Sequence, residues 1–304
     1  MTAALVVVIA VLIDVAFGEP PSRAHPVVWI GNWFHFARAR WRASTPTTQF
    51  LEGALWWIAG AVLVTGTAWL AANWLTRLPI PVWLEGLLLA LLLKPLIALR
   101  SLFAAVRAVR RPLEQGDVPE ARKLLSWHLV SRDTTALRED EVAGAAIESL
   151  FENLSDSLIA PLLCFLIGGL PLAALYRYAN TGDAMWGYRT SALEYAGKFA
   201  ARMDDLLNLI PSRITGACIA LASLRLGAWR AMLRDGLRTA SPNAGVPMAA
   251  GAGALGIRLE KRGVYALNPA ARPPETADLT RALRLAGWAF GVFVTLIVAL
   301  GGLL

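Results

Sequence analysis

Long apolar runs that carry almost no charge recur along this chain and predict membrane-spanning helices. A helix needs about 20 mostly apolar residues to cross the hydrocarbon core of a bilayer. Four runs reach or approach that length, at residues 1–17, 54–75, 80–99 and 283–304. Two further runs, at residues 158–176 and 214–224, are doubtful as spans.

The two doubtful runs are interrupted or short. Gly168, Gly169 and Pro171 interrupt the first run, and Arg213 and Arg225 bound the second. Membranes tolerate broken helices only where these lie against protein or a polar cavity. The pattern therefore predicts an all-α polytopic integral membrane protein, with about four full transmembrane helices plus broken, re-entrant or interfacial helices.

The composition agrees with a membrane protein. Hydrophobic residues make up 56% of the 304 residues and charged residues 17%, against roughly 25% charged in soluble domains. The net charge of +7 does not indicate nucleic-acid binding, because the arginines lie between apolar runs and not along one basic face. Anionic lipid or an anionic substrate suits them better. Cys164 and Cys218 lie in apolar stretches without CxxC spacing, which indicates neither zinc nor a disulfide.

Lysine and arginine bias predicts the orientation. Residues 18–53, 100–157 and 227–282 are rich in arginine and are predicted to be cytoplasmic, which places the N-terminus outside. The first run lacks a basic start and a cleavage site, so we expect it to stay as a membrane segment. Residues 177–213 join the cytoplasmic regions if neither doubtful run crosses fully. We favour that arrangement because it gathers the four polar regions at one site within a single membrane-embedded domain, residues 1–304.

Three carboxylates follow one another at helical spacing in "ESLFENLSDSLIAPLL". Glu148, Glu152 and Asp156 are four residues apart, so an α-helix places them on one face. Like charges in this arrangement repel. Mg²⁺ is a natural counter-ion because it prefers hard oxygen ligands and bridges phosphates. The alternative interpretation is a solvated acidic face on an interfacial helix.

Further polar clusters occur downstream, in "NTGDAMWGYR" and "RMDDLLNLIPSR". Carboxylates, amides and arginines together suit phosphate and metal chemistry. The alternative is that they cap and bridge the ends of membrane helices. The residues concerned are Asn180, Asp183, Arg189, Arg202, Asp204, Asp205, Asn208 and Arg213.

Two glycine-containing stretches come later in the chain. "SPNAG" carries turn residues, and Asn243 with Gly245 could present backbone N–H groups to an anion. "GAGALG" at residues 251–256 matches a dinucleotide-binding pattern, but no strand precedes it, so close helix packing is the better interpretation. Upstream, His25 is a candidate base, phosphate contact or helix cap.

Five motifs in this order resemble the adenosylcobinamide-phosphate synthase family of cobalamin biosynthesis. They are "DVAFGEPPSRAHPVVWIGNW", "SRDTTALREDEVAGAAIESLFENLSDSLIAPLL", "YANTGDAMWGYR", "RMDDLLNLIPSRITG" and "SPNAGVPMAAGAGALGIRL", and they cover about residues 14–259. The chain departs from the family pattern at Phe151, Ser157, Val246 and Met248.

The resemblance implies ATP- and Mg²⁺-dependent amide formation. The propionate carboxylate of adenosylcobyric acid would be joined to aminopropanol or its O-phosphate, giving adenosylcobinamide or its phosphate. The metal and phosphate ligands would then be Glu148, Glu152, Asp156 and Asp183. Catalytic roles would fall to Arg202, Asp204, Asp205 and Arg213. The predicted substrate-binding residues are His25, Arg132, Asn153, Asn180, Trp186, Tyr188, Asn208, Ser241 and Asn243.

The resemblance also implies location and partners. A ligase of this kind would be integral to the cytoplasmic membrane of a bacterium, with a cytoplasmic active site and contacts to the corrinoid, the amine and membrane lipid. No nucleic acid is expected, and a homodimer is neither required nor excluded by the residues. A corrinoid or ion carrier and a polytopic Mg²⁺-dependent phosphotransferase remain as alternatives.

Overall fold

The computed structural model describes residues 1–188 and 190–301. Arg189, a member of the downstream polar clusters, lies outside the described residues. The helices are α1 (Ala3–Phe17), α2 (Pro26–Arg38), α3 (Pro46–Leu75), α4 (Val82–Leu93), α5 (Leu99–Glu114), α6 (Val118–His128), α7 (Glu139–Leu154), α8 (Ala160–Trp186), α9 (Lys198–Ser223), α10 (Leu226–Asp235), α11 (Gly245–Leu255) and α12 (Thr276–Gly301). A π-helical segment (Ser155–Ile159) follows α7, and two strands, β1 (Leu259–Lys261) and β2 (Tyr265–Leu267), form a hairpin.

Five helical stretches are long and apolar enough to cross a membrane. They are Pro46–Leu75, Val82–Glu114, Glu139–Trp186, Lys198–Ser223 and Thr276–Leu300. The predicted fold class, an all-α polytopic membrane protein, is confirmed. Both doubtful runs belong to helices that are long enough to span a membrane. The favoured arrangement, in which neither run crosses fully, did not expect this. The apolar run at residues 1–17 was predicted to be a membrane segment. It forms only the 15-residue helix α1, which is shorter than the roughly 20 residues that cross a bilayer.

The chain separates into two compact units. Unit 1 comprises residues 1–98 and 160–208, and unit 2 comprises residues 99–159 and 209–304. Each unit is built from two stretches that are distant in sequence. The single embedded domain expected from the sequence stays a prediction.

Unit 1 has an aromatic core. Phe34 of α2 stacks on Tyr178 of α8 with ring centroids 4.8 Å apart, and the Tyr178 hydroxyl donates to the carbonyl of Trp57 over 2.9 Å. The hydrogen bond satisfies the only polar atom of a buried phenol. This core joins α2, α3 and α8, and so fixes the polar residues further along α8.

Helix α8 is broken near its start, as the sequence predicted. Gly168 and Gly169 have non-helical backbone angles, and Gly169 adopts φ 66° and ψ −163°. Only glycine takes this conformation readily. Pro171, two residues later, lacks the N–H that an uninterrupted helix would use.

Exposed tryptophans lie at the helix ends on either side of the link between α3 and α4. Trp74 near the end of α3 is 62% exposed, and Trp83 near the start of α4 is 64% exposed. Exposed tryptophans at helix ends are typical of the membrane–water interface.

The other end of α3 begins with a capping box, in which Thr45 and Thr48 satisfy each other's backbone N–H groups.

Unit 2 packs α10, α11 and α7 through small residues. A Cβ on Gly253 of α11 would lie 2.3 Å from the Gly227 carbonyl oxygen of α10, and a Cβ on Gly251 would lie 2.3 Å from the Phe151 ring. The "GAGALG" stretch therefore serves close helix packing. Its glycines also provide the space for Phe151, one of the departures from the family pattern.

Candidate functional site

A polar cavity of about 280 Å³ lies in unit 2. Its walls come from the loop after α6, from α7 and from the β-hairpin. We call it the Glu148 cavity. Its lining residues are Leu129, Val130, Ser131, Arg132, Ala145, Glu148, Ser149, Glu152, Lys261 and Tyr265.

Glu148 is the most enclosed charged group of this cavity. It is 5% exposed, and its Oε1 has no hydrogen-bond partner within the described part of the chain. Arg132 Nη2 lies 3.9 Å from the other oxygen, Oε2. A buried carboxylate oxygen is costly unless it is paired. Glu148 is therefore suited to meet a cation or donor that a ligand brings.

The hairpin supplies two residues that the sequence did not predict for the site. Lys261 and Tyr265 are directly paired across β1 and β2, so both side chains lie on one face of the hairpin. The Tyr265 phenol is within hydrogen-bonding reach of Glu148. Burial and the negative charges of Glu148 and Glu152 raise the pKa of Tyr265 above its ordinary value, so the phenol keeps its proton as a donor.

The acidic stripe is only partly continuous. Glu152 lies one turn after Glu148 and lines the same cavity. Asp156 follows within the π-helical segment Ser155–Ile159, where the turn is wider and the four-residue spacing no longer holds. Among the described residues, Asp156 is not part of the cavity lining. The predicted metal role of Asp156 stays a prediction.

Asn153, predicted to bind substrate, is engaged within its own helix. Its Nδ2 donates to the Ser149 carbonyl over 3.0 Å, and its Oδ1 accepts from the Ser157 hydroxyl over 3.2 Å. The hydroxyl of Ser149 in turn donates to the Leu129 carbonyl over 3.0 Å. These bonds tie α7 to the loop that carries Arg132.

Unit 1 contains a second polar network, centred on Asp204. The amides of Asn208 and Asn180 donate to its two oxygens over 3.1 and 3.4 Å. Tyr176 donates to the Asn208 carbonyl oxygen over 2.8 Å, and Arg177 donates to Asn180 over 3.4 Å. The structure thus brings together three residues that were predicted from two separate motifs: Asn180 from one, and Asp204 and Asn208 from the other.

Further carboxylates lie near Asp204. Asp183 and Asp205 are both within its electrostatic range. Arg202 Nη1 lies 3.8 Å from Asp205 Oδ2, and the Arg202 side chain is 71% exposed. Asp183 at the end of α8 also accepts, through its backbone carbonyl, from the N–H of Gly187 over 2.7 Å. The predicted downstream carboxylates therefore form one neighbourhood in unit 1.

His25 is the N-cap of α2. Its Nδ1 accepts from the Val27 N–H over 3.2 Å, so its Nε2 carries the hydrogen that faces Glu19 at 3.0 Å. Lys94 lies 2.9 Å from the same Glu19 oxygen and 3.3 Å from Asp14. Of the roles considered for His25, the structure provides capping. The ionisable residues Asp14 and Lys94 inside apolar runs were the sequence signal for this cluster.

The two aromatic residues that were predicted to bind substrate have different environments. Trp186 is 1% exposed and packs edge-on against Phe34 and Trp41 in the core of unit 1. Tyr188 is 45% exposed. The packing of Trp186 does not support a contact with a corrinoid, so we keep only Tyr188 as a candidate.

Arg213 holds the "SPNAG" turn in unit 2. Its Nη1 donates to Asn243 Oδ1, and its Nη2 donates to the Pro242 carbonyl over 3.0 Å. The Ser241 hydroxyl accepts from the Asn243 N–H over 3.2 Å. The structure therefore brings Arg213, Ser241 and Asn243 together, and their catalytic and binding roles stay predictions.

The predicted metal ligands are divided between the units. Glu148, Glu152 and Asp156 belong to unit 2, and Asp183 belongs to unit 1. Within the described ranges, no group of three or more His, Cys, Asp or Glu side chains is arranged to hold a metal ion. The prediction of one site that draws on all of them is not tested by the geometry of either unit.

Comparison with known proteins gives the family. Residues 7–286 match the model of the CobD/Cbib protein family. The chain is 41% identical over 290 residues to the probable cobalamin biosynthesis protein CobD of Methanothermobacter thermautotrophicus, covering 94% of this chain and 93% of the relative. It is 43% identical over 277 residues to the cobalamin biosynthesis protein CobD of Geobacter metallireducens, covering 89% and 86%. The cobalamin biosynthesis protein CobD of Rhodobacter capsulatus is 42% identical over 303 residues, covering 94% and 93%.

No solved structure matches the chain. The family match spans most of the described residues, including the Glu148 cavity lining up to Tyr265 and the Asp204 network. The relatives are matched over nearly their full length. The chain therefore belongs to the CobD/Cbib protein family.

Proposed function

We propose that this protein is an ATP-dependent ligase of cobalamin biosynthesis. It would join the propionate carboxylate of adenosylcobyric acid to aminopropanol or aminopropanol O-phosphate, giving adenosylcobinamide or its phosphate. Membership of the family assigns the chain to cobalamin biosynthesis, and such an enzyme acts on a corrinoid. The observation that carries the finer proposal is the Glu148 cavity, where a buried carboxylate oxygen without a partner lies beside two cationic side chains.

The cavity residues fit a Mg²⁺ ion that carries phosphate. Mg²⁺ is usually bound by one or two carboxylates together with substrate phosphates and water. Glu148 and Glu152 supply two carboxylates in one cavity. When bound, Mg²⁺ and ATP would supply the phosphoryl transfer that activates the corrinoid carboxylate as an acyl phosphate. Asp156 and Asp183 remain further candidates for this role.

We assign the remaining charged residues to different steps of the reaction. Arg132 would hold the phosphate of the amine, and Arg202 and Arg213 would neutralise charge that develops during transfer. The amine must lose a proton as its nitrogen attacks the acyl carbon and phosphate leaves. We propose that Asp204 or Asp205, neighbouring carboxylates of unit 1, takes this proton.

The proposed location is the cytoplasmic membrane of a bacterium, with the active site on the cytoplasmic side. The abundance of arginine in residues 100–157 and 227–282 supports this side. ATP is supplied from the cytoplasm, which agrees with the same orientation.

The test is a product assay on the purified, detergent-solubilised protein. Adenosylcobyric acid, ATP and Mg²⁺ are supplied with aminopropanol, with aminopropanol O-phosphate or without amine, and the corrinoid is followed by mass spectrometry. We expect the amide product together with ADP. A folded sample that binds the corrinoid but forms no amide with either amine contradicts the proposal and favours a corrinoid carrier.

A carboxylate variant tests the cavity itself. Glu152→Gln keeps the size of the side chain but removes the charge that would hold the metal and its phosphate. We expect turnover to fall by at least about 100-fold, the scale on which loss of one preorganised charge-stabilising group slows an enzyme.

The matched control is Glu120→Gln. Glu120 is a partly exposed residue of α6 that pairs with Lys123 over 3.3 Å, and its variant should retain wild-type turnover. Both variants should insert into membranes in wild-type amounts, which a fractionation measures. Normal turnover in Glu152→Gln would exclude Glu152 as a metal ligand.

A further inference from the structure

The Glu148 cavity contains cations from two separate elements. Arg132 comes from the loop between α6 and α7, and Lys261 comes from strand β1. Both act electrostatically on Glu148. A cavity of about 280 Å³ lies just below the range for small-molecule sites, about 300–1,000 Å³. It suits a small ligand or the phosphate end of a larger one.

The hairpin fixes the direction of Lys261. Lys261 and Tyr265 are paired residues, and the Lys261 carbonyl accepts from the Val264 N–H over 2.9 Å, which closes the turn. Gly263 takes φ 69° there, a value that suits glycine. Arg262, the next residue, forms an ion pair with Glu141. Lys261 and Tyr265 line the cavity, whereas Arg262 is not part of its lining.

The charges of the cavity match a ligand with an anionic end. Among the described residues Glu148 Oε1 has no hydrogen-bond partner, and Arg132 reaches only the Oε2 atom at 3.9 Å, a distance longer than a hydrogen bond. Glu148 therefore does not take up the full hydrogen-bonding capacity of Arg132 and Lys261. A free hydroxyl group would gain little from them, whereas a phosphate dianion forms charge-assisted hydrogen bonds with both.

We propose that Lys261 is the specificity-determining residue that makes this cavity prefer the phosphorylated amine to the free amino alcohol. The proposal rests on the proposed function and identifies the residue that chooses between its two amines. The phosphate lies between Arg132 and Lys261, and Tyr265 keeps Glu148 in place beside it.

The experiment compares both amines with wild type, Lys261→Gln and Lys261→Arg at saturating ATP and corrinoid. In Lys261→Gln, KM for aminopropanol O-phosphate should rise about 10-fold or more relative to KM for aminopropanol, because one charge-assisted hydrogen bond is lost. Lys261→Arg should restore most of the preference. The control is Lys123→Gln, whose side chain is 74% exposed, and it should keep the wild-type ratio.

Two kinetic results would overturn the proposal. An equal rise of both KM values in Lys261→Gln would mean that Lys261 supports the hairpin and not the choice of ligand. A rise in KM for ATP, with the amine ratio unchanged, would mean that the bound phosphate belongs to the nucleotide.

A binding measurement separates this proposal from the ligase proposal. Inorganic phosphate is titrated into the purified protein by calorimetry, without any turnover. A lower affinity in Lys261→Gln, with wild-type affinity in Lys123→Gln, supports the phosphate site even if no amide forms with any amine. Unchanged phosphate affinity in Lys261→Gln would overturn the site whatever the enzyme produces.

Discussion

Three buried carboxylates of this protein differ in how their charge is compensated. Asp204 accepts two amide hydrogen bonds. Asp235 lies between Arg234 and Arg238 and also accepts from the backbone N–H of Asn268 over 2.8 Å. Of these three, Glu148 alone keeps an oxygen that has no hydrogen-bond partner in the part of the chain that the structure describes. The partners therefore distinguish Asp204 and Asp235, whose charges are compensated within the protein, from Glu148, which is available to a ligand.

Asp235 should stabilise unit 2 in a pH-dependent way. Burial alone raises the pKa of Asp235, but the hydrogen bonds from Arg234 and Asn268 and the charges of Arg234 and Arg238 outweigh it and lower the pKa. A lowered folded-state pKa gives stability that is present above the unfolded pKa and is lost as the pH falls through the folded one. We expect Asp235→Asn to lower the free energy of unfolding at pH 7 by about 1–3 kcal/mol.

The measurement is thermal unfolding in detergent between pH 3 and pH 8. The difference in Tm between wild type and Asp235→Asn should shrink as the pH falls below about 4, the ordinary pKa of an aspartate. A difference that stays constant over the whole range would contradict the electrostatic explanation.

At the residue scale, the sequence predicted the carboxylates better than their partners. Helical spacing was sufficient to place Glu148 and Glu152 on one face. Lys261 and Tyr265 were missed because they lie in strands of three residues, too short to show an alternating pattern. The signal that was available is the glycine turn in "KRGVY", which is typical of a hairpin.

At the scale of elements, small residues decide how closely helices pack. Gly251→Ala places a methyl group where a Cβ would lie 2.3 Å from the Phe151 ring. Overpacking of this kind costs about 1–3 kcal/mol. We therefore expect Gly251→Ala to lower Tm in detergent, and Phe151→Ala in the same chain to make the alanine at 251 less harmful.

The matched control for Gly251→Ala is Gly291→Ala in α12. A Cβ on Gly291 would have no atom within 4 Å, so this change adds helix propensity without a clash. We expect its Tm to be equal to wild type or higher, because alanine is better than glycine in a helix by up to about 1 kcal/mol. Equal effects of the two substitutions would rule out the clash as the cause.

Element lengths were harder to predict than element types. The apolar run that starts α8 ends near Tyr176, but the helix continues to Trp186. The continuation contains polar residues such as Arg177. The Arg177 side chain is buried and donates to the Leu96 carbonyl over 2.9 Å. A hydropathy pattern cannot foresee that a charged residue faces other protein and not solvent, so the predicted run was too short.

For the whole molecule, the unanswered question from the sequence is which side of the membrane carries residues 187–197. Charge bias and a single cytoplasmic site predict that Ser191 lies inside the cell. We expect Ser191→Cys to resist a membrane-impermeant maleimide in intact cells and to react after permeabilisation. The native thiols Cys164 and Cys218 are buried, so they should give little background.

Two further cysteines calibrate this labelling. Pro79→Cys lies in the short link predicted to be outside and should react in intact cells, whereas Gln115→Cys lies in a predicted cytoplasmic region and should not. Labelling of Ser191→Cys from outside would mean that α8 and α9 both cross. The Asp204 network and the Glu148 cavity would then need separate roles.

The length of α3 has a consequence for the membrane that this protein can occupy. Its 30 residues span about 45 Å at 1.5 Å per residue, more than the roughly 30 Å of hydrocarbon in a bilayer. We expect the exposed Trp74 of α3 and Trp83 of α4 to lie at the headgroups, so the surplus length falls at the capped, polar end that carries Gln49 and Glu52. A thicker bilayer can be matched by drawing that end inward or by reducing the tilt. We therefore expect the protein to adapt to differences in bilayer thickness at the end of α3 that carries Gln49 and Glu52, and not at the end that carries Trp74.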